Sequence, residues 1–180
     1  YQLHRTALGP LLPNAAPSAL EQAWTDVVRL GEGAFTEFLL QQGLGPLWDD
    51  LIDRHQSACL FSENNRTLLH NSRLTATAEY LLQRDCLDQT RRILDQANIR
   101  HAVIKGLHTR ERYFPTPSLR VAVDQDVLIN PQDKIRAIQA FQDEGFTFHG
   151  PPQNISHECS LVKGKRSIDL HWDVLRPGRT

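Results

Sequence analysis

The chain of 180 residues is long enough to bury one substantial hydrophobic core, or one core with a small helical appendage. A hydrophobic fraction of 40% with 23% charged residues is typical of a soluble globular protein and excludes a disordered or fibrous one. The formal net charge of −1 provides no overall field toward nucleic acid or an anionic membrane surface, so any polyanion must bind at a local site.

Helix signals dominate the first third of the chain. Ser18 and Glu21 form a capping-box pattern that predicts a helix of about three turns, ended by Gly31. Two more short helices are predicted over 34–42 and 46–55, the first closed by a glycine and the second opened by a proline. From about residue 63 to 97, apolar residues recur at helical spacing, which predicts either one long helix or two shorter ones.

After residue 98 the pattern changes to short apolar runs separated by turns. In chain order it predicts a strand at 101–104, a helix at 107–113, a strand at 120–129, a helix between Pro131 and Gly145, a short strand at 146–148, and a hairpin of 159–162 with 167–174. We therefore predict an α+β fold, in which a helical N-terminal region (1–98) precedes an α/β core (99–180) with a small mixed β-sheet and flanking helices.

Cysteine and apolar content bear on the location of the protein. No apolar run approaches the roughly 20 residues of a membrane helix, and the N-terminus lacks a basic segment followed by an apolar one. The cysteines Cys59, Cys86 and Cys159 are odd in number and far apart, which argues against a disulfide framework and favours a reducing compartment. We predict a cytoplasmic protein with no membrane partner.

Two acidic residues stand out in the second predicted strand. Residues of a strand alternate between faces, so Asp124 and Asp126 are expected side by side on one face, about 6.6 Å apart along the strand. Their mutual repulsion is relieved by a hard cation such as Mg²⁺, which commonly binds one or two carboxylates together with substrate phosphates. In the alternative, both are solvated residues on the open face of an edge strand, with Arg120 as a neutralising neighbour.

Two neighbouring features favour the metal site. Lys105 and Gly106 lie where a strand passes into a helix, so the backbone N–H groups of the helix start and the Lys ammonium are expected to face an anion, as in a phosphate site. In the last predicted strand, Asp169, His171 and Asp173 share one face, which provides a third carboxylate from another strand.

Together these elements resemble the nucleotidyltransferases of the DNA polymerase beta type, and in particular a bacterial group of uncharacterised nucleotidyltransferases. The resemblance covers roughly residues 60–174, with a helical lead-in before the first strand. It lies in the order of four features, which are Ile104-Lys105-Gly106, Tyr113 with Arg120, Asp124-Gln125-Asp126-Val127-Leu128, and Ile168-Asp169-Leu170-His171-Trp172.

The resemblance implies a palm-like sheet and a transferase that moves a nucleoside monophosphate from a nucleoside triphosphate such as ATP, with pyrophosphate leaving. It assigns Asp124, Asp126 and Asp169 as catalytic ligands of Mg²⁺ or Mn²⁺, and Asp169 also as the group that positions or deprotonates the acceptor hydroxyl. The acceptor itself, a small molecule or a protein, is not indicated.

The resemblance also implies how the nucleotide binds. Lys105 and Gly106 would hold its phosphates, and Arg120 would clamp a phosphate or the carboxylates. The basic residues around Lys105 are largely offset by nearby acidic ones, so we do not predict binding to nucleic acid.

Two departures from the family pattern favour an alternative, a non-catalytic binding or scaffold protein that retains the fold. Leu107 follows Gly106, where the wider superfamily usually has a second Gly or Ser. The chain ends at Thr180, whereas related proteins continue into helices that help to enclose the nucleotide, so we expect the α/β core to be C-terminally truncated. A third possibility is a metal-dependent phosphohydrolase, which uses the same cation with water as acceptor.

Histidines near the C-terminal strands are candidate metal ligands. No second His or Cys pair stands at zinc spacing from His157, Glu158 and Cys159, so a structural role is predicted for them. His171 is expected on the active face, either bound to phosphate or a metal-bound water, or simply as a hydrogen-bonded neighbour.

Overall fold

Seven α-helices and five β-strands form within the residues that the computed structural model describes, which are 2–12, 14–55, 61–122, 125–149 and 157–173. The helices are α1 (Gln2–Leu8), α2 (Pro17–Leu30), α3 (Glu32–Gln41), α4 (Gly45–Arg54), α5 (Glu63–Gln96), α6 (Gly106–Tyr113) and α7 (Lys134–Asp143). The strands are β1 (His101–Ile104), β2 (Asp126–Ile129), β3 (Thr147–His149), β4 (Glu158–Lys163) and β5 (Arg166–His171). The predicted α+β class is therefore confirmed.

The chain divides into two compact units, Tyr1–Ala78 with Thr116–Val121 and Glu79–Pro115 with Ala122–Thr180. We call them the helical unit and the sheet unit. Helix α5 is one continuous helix of 34 residues, which decides between the one long helix and the two shorter ones, and it contributes residues to both units. The domain boundary placed at residue 98 from the sequence stays a prediction. None of the helices in the described ranges has the length and apolar character that crossing a membrane requires.

The helical unit is centred on Trp48. This side chain is fully buried, and its ring packs edge-on against Phe35, 4.9 Å away between centroids, and Trp24, 5.4 Å away. The indole Nε1 donates a hydrogen bond to the carbonyl O of Ala7 at 2.9 Å. Because the buried N–H has a partner, the large ring contributes its full apolar burial without leaving a polar group unsatisfied.

Helix α2 begins earlier than the capping box predicts. Ala16 precedes the first helical residue, Pro17, and no side chain caps the helix start. Proline suits the first turn because its missing N–H has no partner there and its φ is already helical. Ser18 therefore lies inside the helix, and the prediction that it caps the helix is wrong.

The sheet unit contains a five-stranded mixed sheet in the order β1-β2-β5-β4-β3. Only the β2–β5 pair is parallel, and the other three pairs are antiparallel. One buried cluster combines side chains from the sheet with side chains of α5 and α7. It includes Cys86, Ile93, Leu94, Val127, Ile129, Ala137, Phe141, Cys159, Leu161, Ile168 and Leu170.

The second strand is shorter than the predicted span of 120–129, since β2 begins at Asp126. Val121, which lies within the predicted span, is 39% exposed. The carbonyl O of Ala122 accepts a hydrogen bond from Gln83 Nε2 at 2.6 Å, so this part of the backbone bonds to a helix side chain. A local apolar and polar alternation does not reveal such a long-range partner, which is why the strand was predicted too long.

Candidate active site

The sheet has one apolar and one polar face. Paired residues on neighbouring strands share a face, and residues two apart in one strand share it too, so the register assigns each side chain. Asp126 pairs with Asp169, Asp169 with Ser160, and His171 with Glu158. These residues lie on the face opposite the buried cluster. This polar face therefore contains carboxylates and other side chains that form hydrogen bonds.

Asp126 is the most enclosed carboxylate of the polar face, with a side chain only 10% exposed. Its Oδ1 lies 2.9 Å from His171 Nε2 and 3.5 Å from Lys105 Nζ. A buried carboxylate is costly unless it is paired and hydrogen-bonded, and these two groups provide both forms of compensation. Asp126 therefore has one cationic and one hydrogen-bonding neighbour.

Asp169 lies beside Asp126 because their Cα atoms are register partners on parallel strands, which run about 4.8 Å apart. Its Oδ1 accepts a hydrogen bond from Ser160 Oγ at 2.6 Å, and its backbone N–H donates to the carbonyl O of Gln125 at 2.8 Å. These bonds orient the side chain and secure the strand. The structure thus brings two of the three predicted aspartates together on one face.

The predicted phosphate turn lies next to Asp126. Strand β1 ends where β2 begins, since Ile104 pairs with Asp126, and Lys105 directly follows Ile104. Lys105 adopts φ 50° and ψ −141°, a conformation that costs a non-glycine residue about 1–3 kcal/mol. Gly106 then starts α6, whose first backbone bond runs from Thr109 N–H to the carbonyl O of Lys105 at 3.0 Å. A strained lysine therefore precedes the positive end of a helix dipole.

Arg110 anchors this helix and was not recognised from the sequence, where it counts only as one of several basic residues near Lys105. The structure buries it to 1% exposure. Its Nη1 donates to Gln83 Oε1 at 2.5 Å, and its guanidinium lies 4.9 Å from the ring centroid of Tyr80. Both partners belong to α5, so Arg110 holds the helix that follows the turn.

A second group of ligand-type side chains lies beside the carboxylates. His171 Nδ1 and His157 Nε2 are each 3.2 Å from Glu158 Oε2. The spacing along the chain predicts a structural role for His157 and Glu158, because no second pair of ligands follows at zinc spacing. The third member comes instead from the paired strand, where Glu158 stands opposite His171. Only the register of the β4–β5 hairpin indicates that these three side chains are neighbours.

Three other predicted site residues have different outcomes. Asp124 lies outside the described residues, so its place beside Asp126 stays a prediction. Arg120 is half-buried in a bend after the turn Pro117–Leu119, and its role as a clamp also stays a prediction. Asp173 follows the end of β5, so the prediction that it shares a strand face with His171 is wrong.

The cysteines of the described chain, Cys86 and Cys159, are buried thiols in the apolar cluster between the sheet and its helices. Burial raises the pKa of both Cys86 and Cys159 to about 11. At pH 8 only about one thiol in a thousand is then the reactive thiolate. In a Cys59→Ser variant we expect no reaction with a thiol reagent until denaturant is added, and then reaction of two thiols. Rapid labelling of the native protein would contradict this burial.

A family model described as an uncharacterised nucleotidyltransferase matches residues 31–180. The chain belongs to this family. The uncharacterised nucleotidyltransferase family named from the sequence is thereby confirmed, and its description supports nucleotidyl transfer as the general kind of reaction. The matched range includes the whole described sheet, together with Lys105, Asp126 and Asp169. Comparison of this nucleotidyltransferase family member with curated proteins and with solved structures found no significant match.

Proposed function

We propose that this protein is a metal-dependent nucleotidyltransferase that moves a nucleoside monophosphate from a nucleoside triphosphate to an acceptor. The observation that supports the proposal most directly is the register of β2 with β5, which places Asp126 beside Asp169 on the polar face. A lysine at a helix start lies within 3.5 Å of the first of these carboxylates. Paired carboxylates next to a cationic turn suit a divalent cation and the phosphates that it binds.

Asp126 and Asp169, together with Asp124 by prediction, would hold Mg²⁺ or Mn²⁺. The donor set fits, because carboxylate oxygens are the ligands that these hard cations prefer. Lys105 Nζ, 3.5 Å from Asp126 Oδ1, would turn away from the carboxylate as the cation binds. When bound, the cation would stabilise the charge that develops on the phosphate oxygens.

The turn at Lys105 would hold the triphosphate. Its ammonium lies 3.5 Å from Asp126 Oδ1, and the side chain is 63% exposed, so the ammonium can move to a phosphate oxygen without leaving a buried pocket. The first N–H groups of α6 point along the helix axis toward the same side, since the N-terminal N–H groups of a helix have no acceptor within it. Burial of Arg110 keeps this helix start in place.

In the proposed reaction, the acceptor oxygen bonds to the α-phosphorus while the bond from that phosphorus to pyrophosphate breaks. The proton of the acceptor hydroxyl passes to the carboxylate of Asp169. Ser160 engages one oxygen of this carboxylate and so fixes its orientation for the transfer.

A second candidate is a non-catalytic protein that binds a nucleotide or a partner on the same fold. This candidate is favoured by the contacts of Asp126, because His171 and Lys105 already pair with its carboxylate without an added cation. The two candidates differ in product, because only the transferase releases pyrophosphate and labels an acceptor.

Binding of a nucleotide is tested with two glycine variants. Lys105→Gly removes the ammonium and relieves the positive φ. Asn98→Gly relieves a second positive φ, 53°, that a non-glycine residue adopts in the described part of the chain, away from the turn. We expect Mg²⁺ with a saturating nucleoside triphosphate to raise the Tm of the wild type and of Asn98→Gly by several degrees. Lys105→Gly should bind about 10- to 100-fold more weakly, because hydrogen bonds to charged groups contribute about 1.5–3 kcal/mol.

The measurement is thermal unfolding with ATP, GTP, CTP and UTP in turn, at millimolar Mg²⁺. Equal Tm shifts for the two variants would show that Lys105 does not bind the triphosphate. No Tm shift with any triphosphate would contradict the proposal as a whole. Release of pyrophosphate from an α-labelled triphosphate, in the presence of cell extract as a source of acceptors, separates the transferase from the binding protein. The labelled product identifies the acceptor class.

A further inference from the structure

Three side chains at the start of β4 and the end of β5 meet in an arrangement that the proposed transfer reaction does not use. They are His157, Glu158 and His171, and one ligand atom of each lies within 4.8 Å of the other two. Among the described residues this is the group of His, Cys and acidic side chains with the geometry of a metal site. We propose that it binds a transition metal ion of the Zn²⁺ type, separate from the cation at the aspartates.

The distances fit a shared ion. Both imidazole nitrogens lie 3.2 Å from Glu158 Oε2. Zinc binds nitrogen and oxygen ligands at about 2.0–2.2 Å, and two such atoms on one tetrahedral ion are roughly 3.3 Å apart. Two of the three donor–donor distances therefore already match, and the ligand atoms of the two histidines lie within 4.8 Å of each other.

The environment of His171 provides an independent argument. Its Nε2 lies 2.9 Å from Asp126 Oδ1, and an ionised carboxylate only accepts hydrogen bonds, so Nε2 has the proton. Nδ1 is then the nitrogen available to a metal ion, which would displace any proton shared with Glu158 Oε2, 3.2 Å away. A histidine that binds a metal almost always donates its other N–H to a carboxylate or carbonyl, and Asp126 is such a partner.

The donor set selects the metal. Two imidazoles with one carboxylate are typical of Zn²⁺ sites that keep a fourth position open, whereas Mg²⁺ requires oxygen ligands. The side chains of His171 and His157 are 2% and 14% exposed, so both ligands are held in place by their surroundings. Glu158 is 41% exposed, which gives an ion a path from solvent.

The site also has a consequence for Asp126. An ion on Nδ1 of His171 strengthens the Nε2–H donor and so holds the carboxylate of Asp126 in one orientation. The zinc-type site is thus a positioning device next to the proposed catalytic cation, although its occupancy does not depend on nucleotide or on transfer.

The experiment titrates the full chain, without a polyhistidine tag and after treatment with a chelator, with Zn²⁺ and with Co²⁺ as a spectroscopic substitute. We expect one equivalent of Zn²⁺ to bind, and Co²⁺ to give the visible absorption of a tetrahedral site. Glu158→Gln leaves the fold intact because the side chain is partly exposed, and it should weaken Zn²⁺ binding by more than about 100-fold, as should His157→Ala. His101→Gln is the matched control, since His101 also faces a carboxylate, that of Asp95 at 3.9 Å, and this variant should bind like the wild type.

Two results would overturn the proposal. One is Zn²⁺ binding that is unchanged in Glu158→Gln, which would place the ion elsewhere. The other is Zn²⁺ binding that is lost in Asp169→Asn but kept in Glu158→Gln, which would assign the ion to the carboxylate pair. Because the titration contains no nucleotide, its failure leaves the proposed transferase untouched, and a transferase without activity leaves the zinc-type site untouched.

Discussion

Asp126→Asn is expected to lower the rate of nucleotidyl transfer by at least about 10²- to 10³-fold. A metal ion contributes several kcal/mol of charge stabilisation in such reactions, and each 1.36 kcal/mol corresponds to a tenfold change in rate. Asparagine keeps an oxygen that accepts from His171 Nε2, so the local hydrogen bond survives while the negative charge is lost. The measurement is pyrophosphate release at saturating Mg²⁺ and nucleoside triphosphate.

The control for this experiment is Asp88→Asn. Asp88 is also in the sheet unit, but its side chain is 53% exposed and pairs with Arg91 one helical turn away, so the rate should stay within about twofold of wild type. A transfer rate for Asp126→Asn close to that of Asp88→Asn would show that the carboxylate of Asp126 has no part in catalysis. Equal Tm values of the two variants would establish that the comparison concerns catalysis and not folding.

Trp48→Ala is expected to destabilise the helical unit by about 3–5 kcal/mol. The substitution removes a fully buried ring, its edge-on contacts with Phe35 and Trp24, and a hydrogen bond to the carbonyl O of Ala7. Chemical denaturation followed by circular dichroism measures the change, since helix dominates this unit.

The variant Trp48→Phe divides that loss into two parts. It retains an aromatic ring but leaves the Ala7 carbonyl without its indole donor, so it should cost about 1–3 kcal/mol and less than the alanine variant. If both variants unfolded at the same denaturant concentration, the hydrogen bond would account for the whole effect, and the packing argument would be wrong.

Local patterns were sufficient for much of the fold. The apolar run at 101–104 is β1, the breaker-free segment after residue 63 is α5, and the helix before Gly145 is α7. The spacing of apolar residues and the nearby glycines and prolines determine these elements. Both signals depend only on residues a few positions apart in the chain. The chemistry of Lys105 and Asp126 was also expected, and the structure places the two side chains within contact distance.

Long-range pairing explains what the sequence did not reveal. The β2–β5 register is between strands distant in the chain, and no local alternation specifies which residues become neighbours. The hydrogen bond from Gln83 to Ala122 and the burial of Arg110 depend on α5 lying against these segments. The grouping of His157 with His171 depends on the hairpin register, so ligand spacing along the chain gave no sign of it.

The parallel pairing of β2 with β5 affects how the site is assembled during synthesis. Asp126 and Asp169 are adjacent in space, but the chain between them includes α7, β3 and β4. A ribosome-bound chain that has not yet delivered β5 has no neighbour for Asp126 on that side of β2, and closing a loop of this length costs entropy before any contact compensates for it. The pairing of Asp126 with Asp169 therefore forms late, only after β5 has docked beside β2.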